Sequence, residues 1–257
     1  EGARVQDPQS AQPFSLLPLQ PALLEALASL QYEQMTPIQA LSLPPMLDGK
    51  DVIGQARTGS GKTAAYGLAL LSRIDTAQTR TQALVLCPTR ELADQIAKEI
   101  RRLARCIPNI KLTVLGGGIA KRPQLASLEH DPHIVVGMAG RVLEHLNSGA
   151  LKLDDLKVLV LDEADRMLGD DFEAESRAIV AQAPAKRQTL FFSATFPDEV
   201  RGLSRRLQQR PVEVSIDTAV TTPQVEQHFF EVDAERRIDA LAHLLSVHRP
   251  PSALVFC

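Results

Sequence analysis

Residues 51–63 read DVIGQARTGSGKT, and residues 64–71 continue as AAYGLALL. An apolar strand, a glycine-rich turn and a helix follow one another within about twenty residues, and this order decides the fold class. Gly59 and Gly61 let backbone N–H groups curl around phosphate oxygens, and a helix opening at Lys62 adds partial positive charge there. Lys62 is placed to reach β- and γ-phosphates, and the Thr63 hydroxyl suits Mg²⁺. Ala56, Arg57, Thr58 and Ser60 complete the loop, with Ala56 standing where the generic pattern has its first glycine. A bare Gly-Ser turn at a helix start is the plain alternative. The preceding strand and the Gly-Lys-Thr ending argue against it.

Outward from this stretch the same alternation recurs. Strands are expected at 51–54, 83–87, 112–115, 134–136, 158–161, 189–192 and 212–216. Helical segments are expected between them, among others at 62–74, 90–104, 141–148, 172–182 and 198–208. Short, wholly apolar strands separated by amphipathic helices predict a parallel sheet covered on both faces. Ligands of such sheets bind at the carboxyl ends of the strands. The polar, Pro-containing residues 1–13 read as a loose tail, and 217–226 (DTAVTTPQVE) as a linker. Beyond it, HFFEV, a helical AERRIDALAHLLSVH and ALVFC read as strand, helix and strand of a new sheet. The alternative makes them edge elements of the first domain.

Composition narrows the class without naming it. The chain has 257 residues, 44% hydrophobic and 23% charged, which is ordinary for a globular protein. A formal net charge of −3 argues against a strongly basic nucleic-acid coat, although local basic patches matter more than the total. Cys87, Cys106 and Cys257 are scattered, with no zinc spacing, which fits a reducing cytoplasm. No apolar run reaches the length of a membrane span, so no membrane partner is expected.

A second signal stands at Val158–Leu161 followed by Asp162, Glu163, Ala164 and Asp165. A strand ending in two carboxylates places them beside the phosphate loop, where Asp162 can serve a Mg²⁺ shell and Glu163 can prepare a water. Taken alone, the pair also reads as an acidic helix start. Upstream, in Tyr32–Gln39 (YEQMTPIQ), the Gln39 amide offers one donor and one acceptor, matching adenine and not guanine. Tyr32 can stack on the base. Pro88-Thr89-Arg90, Gly116–Gly118 and Ala139-Gly140-Arg141 all follow strands at the same edge, where loops can grip phosphate. Each also reads as a simple turn. Ser193-Ala194-Thr195 ends a strand and can link to the carboxylates. The basic groups Lys98/Arg101/Arg102/Arg105, Lys121/Arg122 and Arg201/Arg205/Arg206/Arg210 read as solvated helix faces.

Taken in order, Phe14, TPIQ, ARTGSGKT, PTRELA, a double glycine, a GR loop, DEAD and SAT resemble the DEAD-box family of ATP-dependent RNA helicases, across residues 14–257. TQALVLCPTRELADQ and DEADRML are similar to its bacterial DbpA type, which acts on ribosomal RNA. The resemblance implies an α/β RecA-like P-loop domain over 14–216, followed at 227–257 by the first elements of a truncated second one. It implies that Phe14, Tyr32, Thr36 and Gln39 hold the adenine of ATP or ADP, with Lys62, Asp162 and Glu163 catalytic. Asp165, Ser193 and Thr195 would couple the nucleotide site to RNA, while Pro88, Thr89, Arg90, Gly117, Gly118, Gly140 and Arg141 would contact RNA backbone. A cytoplasmic, monomeric full-length enzyme is implied, in which this fragment binds nucleotide but hydrolyses it poorly, and the fragment is expected to self-associate through 227–257. Two departures stand out: Met138-Ala139 where the family has Thr-Pro, and Gln31 where it has Gly.

Overall fold

The computed structural model describes residues 12–118, 120–167, 169–216 and 228–255. Most of the expected tail (1–11), the expected linker (217–226), and Gln227, Phe256 and Cys257 lie outside them. The chain divides into two compact units, Glu1–Asp217 and Thr218–Cys257.

The first unit begins with helices α1 (Pro21–Ser29) and α2 (Pro37–Leu47), and then alternates strictly. Its elements are β1 (Val52–Gln55), α3 (Lys62–Leu71), β2 (Ala83–Leu86), α4 (Arg90–Leu103), β3 (Leu112–Leu115), α5 (Lys121–Leu128) and β4 (Ile134–Gly137). They continue through α6 (Ala139–Asn147), β5 (Val158–Asp162), α7 (Asp170–Ala181), β6 (Gln188–Ser193), α8 (Asp198–Leu207) and β7 (Val212–Ser215). Among the described residues the sheet has seven strands in the order β3-β4-β2-β5-β6-β1-β7. Every pairing is parallel. Each expected strand is present, shifted by one or two residues at most.

Burial explains why the strands read as continuous apolar runs. Successive side chains point to opposite faces, and both faces are covered. Val85, Val136, Val160 and Phe192 pack on one side with Leu23, Leu43, Tyr66 and Ile100 of α1–α4. Leu84, Leu86, Val135, Leu159 and Phe191 pack on the other with Val142, Ile179, Val200 and Leu203 of α6–α8. The amino-terminal side of the sheet is fastened by Asp51, whose carboxylate accepts from Thr189 N–H (2.7 Å) and Gln209 N–H (2.6 Å). Burial raises the Asp51 carboxyl above its usual range, against the pull of those two bonds.

Helix α2 is not among the segments named from pattern, and its surroundings show why. Ile38 to Leu43 and Met46 are buried, leaving no polar stripe, and Pro44 and Pro45 lie inside it. The boundary of the expected tail also moves. Met35 N–H donates to Gln12 O (2.8 Å) and Pro13 bridges Gln34, so both of those residues are held.

In the second unit the expected helix forms as α9 (Arg237–His248), after a short turn Ala234–Arg236. The expected strands do not form: residues 228–233 and 251–255 carry no ladder. A strand needs a neighbour to take its N–H and C=O groups, and the described residues of this unit hold no second strand. No residue of α9 is buried, and Phe229 (91%), Ile238 (82%) and Leu254 (80%) are largely exposed. No helix among the described residues is long and apolar enough to cross a membrane.

Candidate nucleotide site and the neighbouring cleft

Sheet order sorts the loops at the carboxyl edge into two groups. Strands β5, β6 and β1 are neighbours, so Asp162, Ser193 and the turn after Gln55 lie side by side. Strands β3, β4 and β2 are neighbours on the other half, which gathers the loops at 116–118, 138–141 and 88–90.

A cavity of about 760 Å³ opens over the first group. Phe14, Tyr32, Thr36, Gln39, Thr58, Gly59, Gly61, Lys62, Thr63, Asp162 and Glu163 all line it. Ala56, Arg57 and Ser60 do not line it, although Ser60 Oγ is buried without a hydrogen-bond partner. Gly61 has φ 94°, a region that favours glycine, and a Cβ there would lie 2.5 Å from Gln39 Nε2. The glycine thus permits both the turn and the close approach of α2. Gln39 is itself buried, accepting from Thr36 N–H (2.9 Å) and donating to Gly61 O (3.1 Å). Its amide keeps a second N–H and a second lone pair. Lys62 Nζ donates to Ala56 O (2.7 Å) across the loop.

The carboxylates are held from beneath. Asp162 accepts from the Tyr66 hydroxyl (2.8 Å) and from Glu163 N–H (2.9 Å). Burial raises its carboxyl above the ordinary range, while the Tyr66 hydroxyl and the Lys62 ammonium oppose that. Tyr66 is wholly buried, and sequence reasoning passed over it. Its spacing of four from Lys62 on one helix was the available signal. Glu99, also missed, accepts from the Tyr32 hydroxyl (2.8 Å) and lines the cavity. Glu163 has φ 52°, unusual for a residue with a Cβ, and its carboxylate accepts from Arg166 Nη1 (2.7 Å). Asp165 is drawn to the end of β6: Thr195 donates to it through N–H (3.0 Å) and hydroxyl (2.7 Å), and Asp165 N–H donates to Ser193 Oγ (3.1 Å). Burial works against its charge, but these hydroxyl and amide contacts leave its carboxyl below the usual range.

Over the second group lies a cleft of about 800 Å³ lined by Pro88, Gly117, Gly140 and Arg141. Thr89, Arg90 and Gly118 do not line it. Thr89 caps α4, accepting from Leu92 N–H (3.2 Å), and Arg90 pairs with Asp94 at 3.8 Å. Arg141 Nη1 is buried with no partner. Met138, where a threonine was the family expectation, puts its sulfur 3.4 Å from Gly117 N–H and so spans the cleft wall. Cys87 sits beneath, its thiol pushed up to about 12 by burial and the nearby carboxylates, and is no nucleophile at neutral pH.

Sheet, loop and carboxylates together are those of a RecA-like P-loop domain. Comparison with known proteins refines this: residues 36–203 match the DEAD/DEAH box helicase family model. The chain belongs to that family. It is 52% identical to the ATP-dependent RNA helicase DbpA of Escherichia coli over 93% of its own length and 52% of that protein's. It is 40% identical to the DEAD-box ATP-dependent RNA helicase CshA of Bacillus cereus, over 95% and 46% of the two chains. The chain thus spans about half the length of the curated relatives it matches. Among solved structures, a DEAD box protein of the hyperthermophile Methanococcus jannaschii superposes with a TM-score of 0.76 at 35% identity, covering 92% of this chain and 64% of that one. S. cerevisiae Dbp5, in a complex that contains ADP, gives 0.70 at 28% identity, over 77% and 52%.

Proposed function

We propose that this chain carries the ATP-binding half of a cytoplasmic ATP-dependent RNA helicase, which couples ATP hydrolysis to opening of short RNA duplexes, ribosomal RNA among them. One observation carries the reading: Gly59, Gly61, Lys62 and Thr63 of the loop, the Asp162–Glu163 pair and Gln39 border one cavity. A P-loop and two carboxylates serve many nucleotide-driven machines. The adenine-matching amide and an adjoining cleft in which a buried arginine N–H group, Arg141 Nη1, has no hydrogen-bond partner point to ATP and a polyanion.

Within that reading Gly59, Gly61 and the start of α3 grip phosphate, and Lys62 leaves Ala56 O for the terminal phosphates. Thr63 and Asp162 would hold Mg²⁺, which neutralises charge building on those phosphates. Among the described residues no group of three or more His, Cys, Asp or Glu could hold a metal. Both oxygens of Asp162 already accept one bond each, and the lone pairs that remain suit a metal-bound water. Glu163 takes the proton of the attacking water. Asp165 with Ser193 and Thr195 transmits the state of the nucleotide, and Arg141 with Gly117 and Gly140 contacts the RNA backbone.

The second unit, with Phe229, Ile238 and Leu254 exposed, is read as the opening of a second RecA-like domain. The fragment then self-associates through 227–257, whereas the full-length enzyme is monomeric. Sedimentation with and without residues 218–257 tests this, and a 257-residue chain that stays monomeric at all concentrations would refute it.

Base choice gives the first test of the site. The chain should bind ADP more tightly than GDP, and Gln39→Ala should remove about 1–3 kcal/mol of that preference if the amide reads the base in a bidentate pair. Calorimetric titration of both nucleotides measures it. Equal affinities in the unaltered protein would rule the role out.

A further inference from the structure

One ion pair joins the two cavities. Arg166, in the turn Ala164–Met167 that follows β5, lines the 800 Å³ cleft. Its Nη1 meanwhile holds Glu163 Oε2 at 2.7 Å, and Glu163 lines the nucleotide cavity. The two ends of this ion pair differ in access. The Glu163 side chain is 12% exposed and that of Arg166 68%. The carboxylate therefore sees little water, while the guanidinium is open to whatever arrives in the cleft.

The cleft gives a competitor direct access to that guanidinium. Arg141 and Arg166 are the cations among its lining residues; Arg141 Nε pairs with Glu144 at 3.3 Å, while its Nη1 is buried with no hydrogen-bond partner. Glu144, Asp171 and Glu175 on the same lining repel an anion, so a phosphate entering the cleft is held only where it meets the guanidinium groups. A guanidinium fork matches a phosphate as well as it matches a carboxylate.

We propose that Arg166 is a positioning residue that restrains Glu163 while the cleft is empty, and that an RNA phosphate in the cleft takes over the guanidinium and frees the carboxylate. This rests on the reading of Glu163 as the group that prepares the water and of the cleft as the RNA path. It gives RNA a direct electrostatic line to the hydrolytic residue, through three residues of one turn. The magnitude is bounded: an ion pair this open shifts an equilibrium by roughly two- to fivefold. Arg166 thus accounts for part of an RNA stimulation and not the whole.

The test is steady-state ATP turnover by the full-length protein, without RNA and with saturating RNA, for the unaltered protein, Arg166→Ala and Arg166→Lys. Arg166→Ala should raise RNA-free turnover roughly two- to fivefold while leaving the RNA-saturated rate and the KM for ATP near their starting values. The stimulation ratio falls accordingly. Arg166→Lys, which keeps the charge without the fork, should restore part of the ratio. An RNA-free rate that falls in Arg166→Ala, or two rates that change by the same factor, would overturn the proposal. A merely structural role predicts the latter. Failure of the functional reading itself shows separately, as an unaltered protein whose turnover ignores RNA.

Discussion

Glu163→Gln should leave nucleotide binding close to that of the unaltered protein while lowering ATP turnover by about 10²–10⁴-fold, the usual share of a positioned general base. The substitution keeps the size of the side chain and an oxygen that can still accept from Arg166, whose Nη1 lies 2.7 Å from the carboxylate. It removes only the capacity to take a proton from water. Asp162 also keeps its bond from the backbone N–H of residue 163 (2.9 Å), so the phosphate side of the cavity is undisturbed. Single-turnover phosphate release alongside a titration with a fluorescent ADP separates chemistry from binding. A variant with RNA-stimulated turnover intact would remove Glu163 from the mechanism.

Lys62→Ala should act on the other step. The ammonium is buried, and among the described residues its one hydrogen bond runs to Ala56 O at 2.7 Å. A charge kept out of water in this way is poised for a ligand that satisfies it better. Losing charge-assisted bonds to phosphate, at about 1.5–3 kcal/mol each, should weaken ATP and ADP binding by roughly ten- to a hundredfold or more. Thermal stability should hold or rise, because the substitution removes a buried cation whose hydrogen bond among the described residues is to a carbonyl and not to a carboxylate. Nucleotide affinity unchanged in Lys62→Ala would mean that phosphates do not sit in this loop.

The two substitutions also show how unevenly the sequence disclosed the molecule. Strands β1 to β7 were legible because all but the edge strands are covered on both faces, which writes each as a run of apolar residues. The phosphate loop was legible because its glycines and its Lys-Thr ending are required locally. Helix α2 was hidden by being buried nearly all round, which erases amphipathic period. The runs HFFEV and ALVFC have strand composition but no ladder partner among the described residues, and composition alone cannot supply one. Pairings across the fold were likewise invisible: Tyr66 with Asp162 and Asp51 with Gln209 are separated by 96 and 158 positions. The Gln39 amide was read toward a base, yet it also ties α2 to the phosphate loop through Gly61 O. Arg166 was not singled out in the sequence, and the fold puts the cleft on one side of it and Glu163 on the other.

The decisive measurement is the rate of phosphate release from ATP by the full-length protein, alone, with RNA and with single-stranded DNA of the same sequence. A site that reads adenine and takes its stimulus from an RNA-filled cleft predicts slow turnover alone, a marked rise with RNA and little response to DNA. Equal stimulation by RNA and DNA, or turnover indifferent to both, would contradict it.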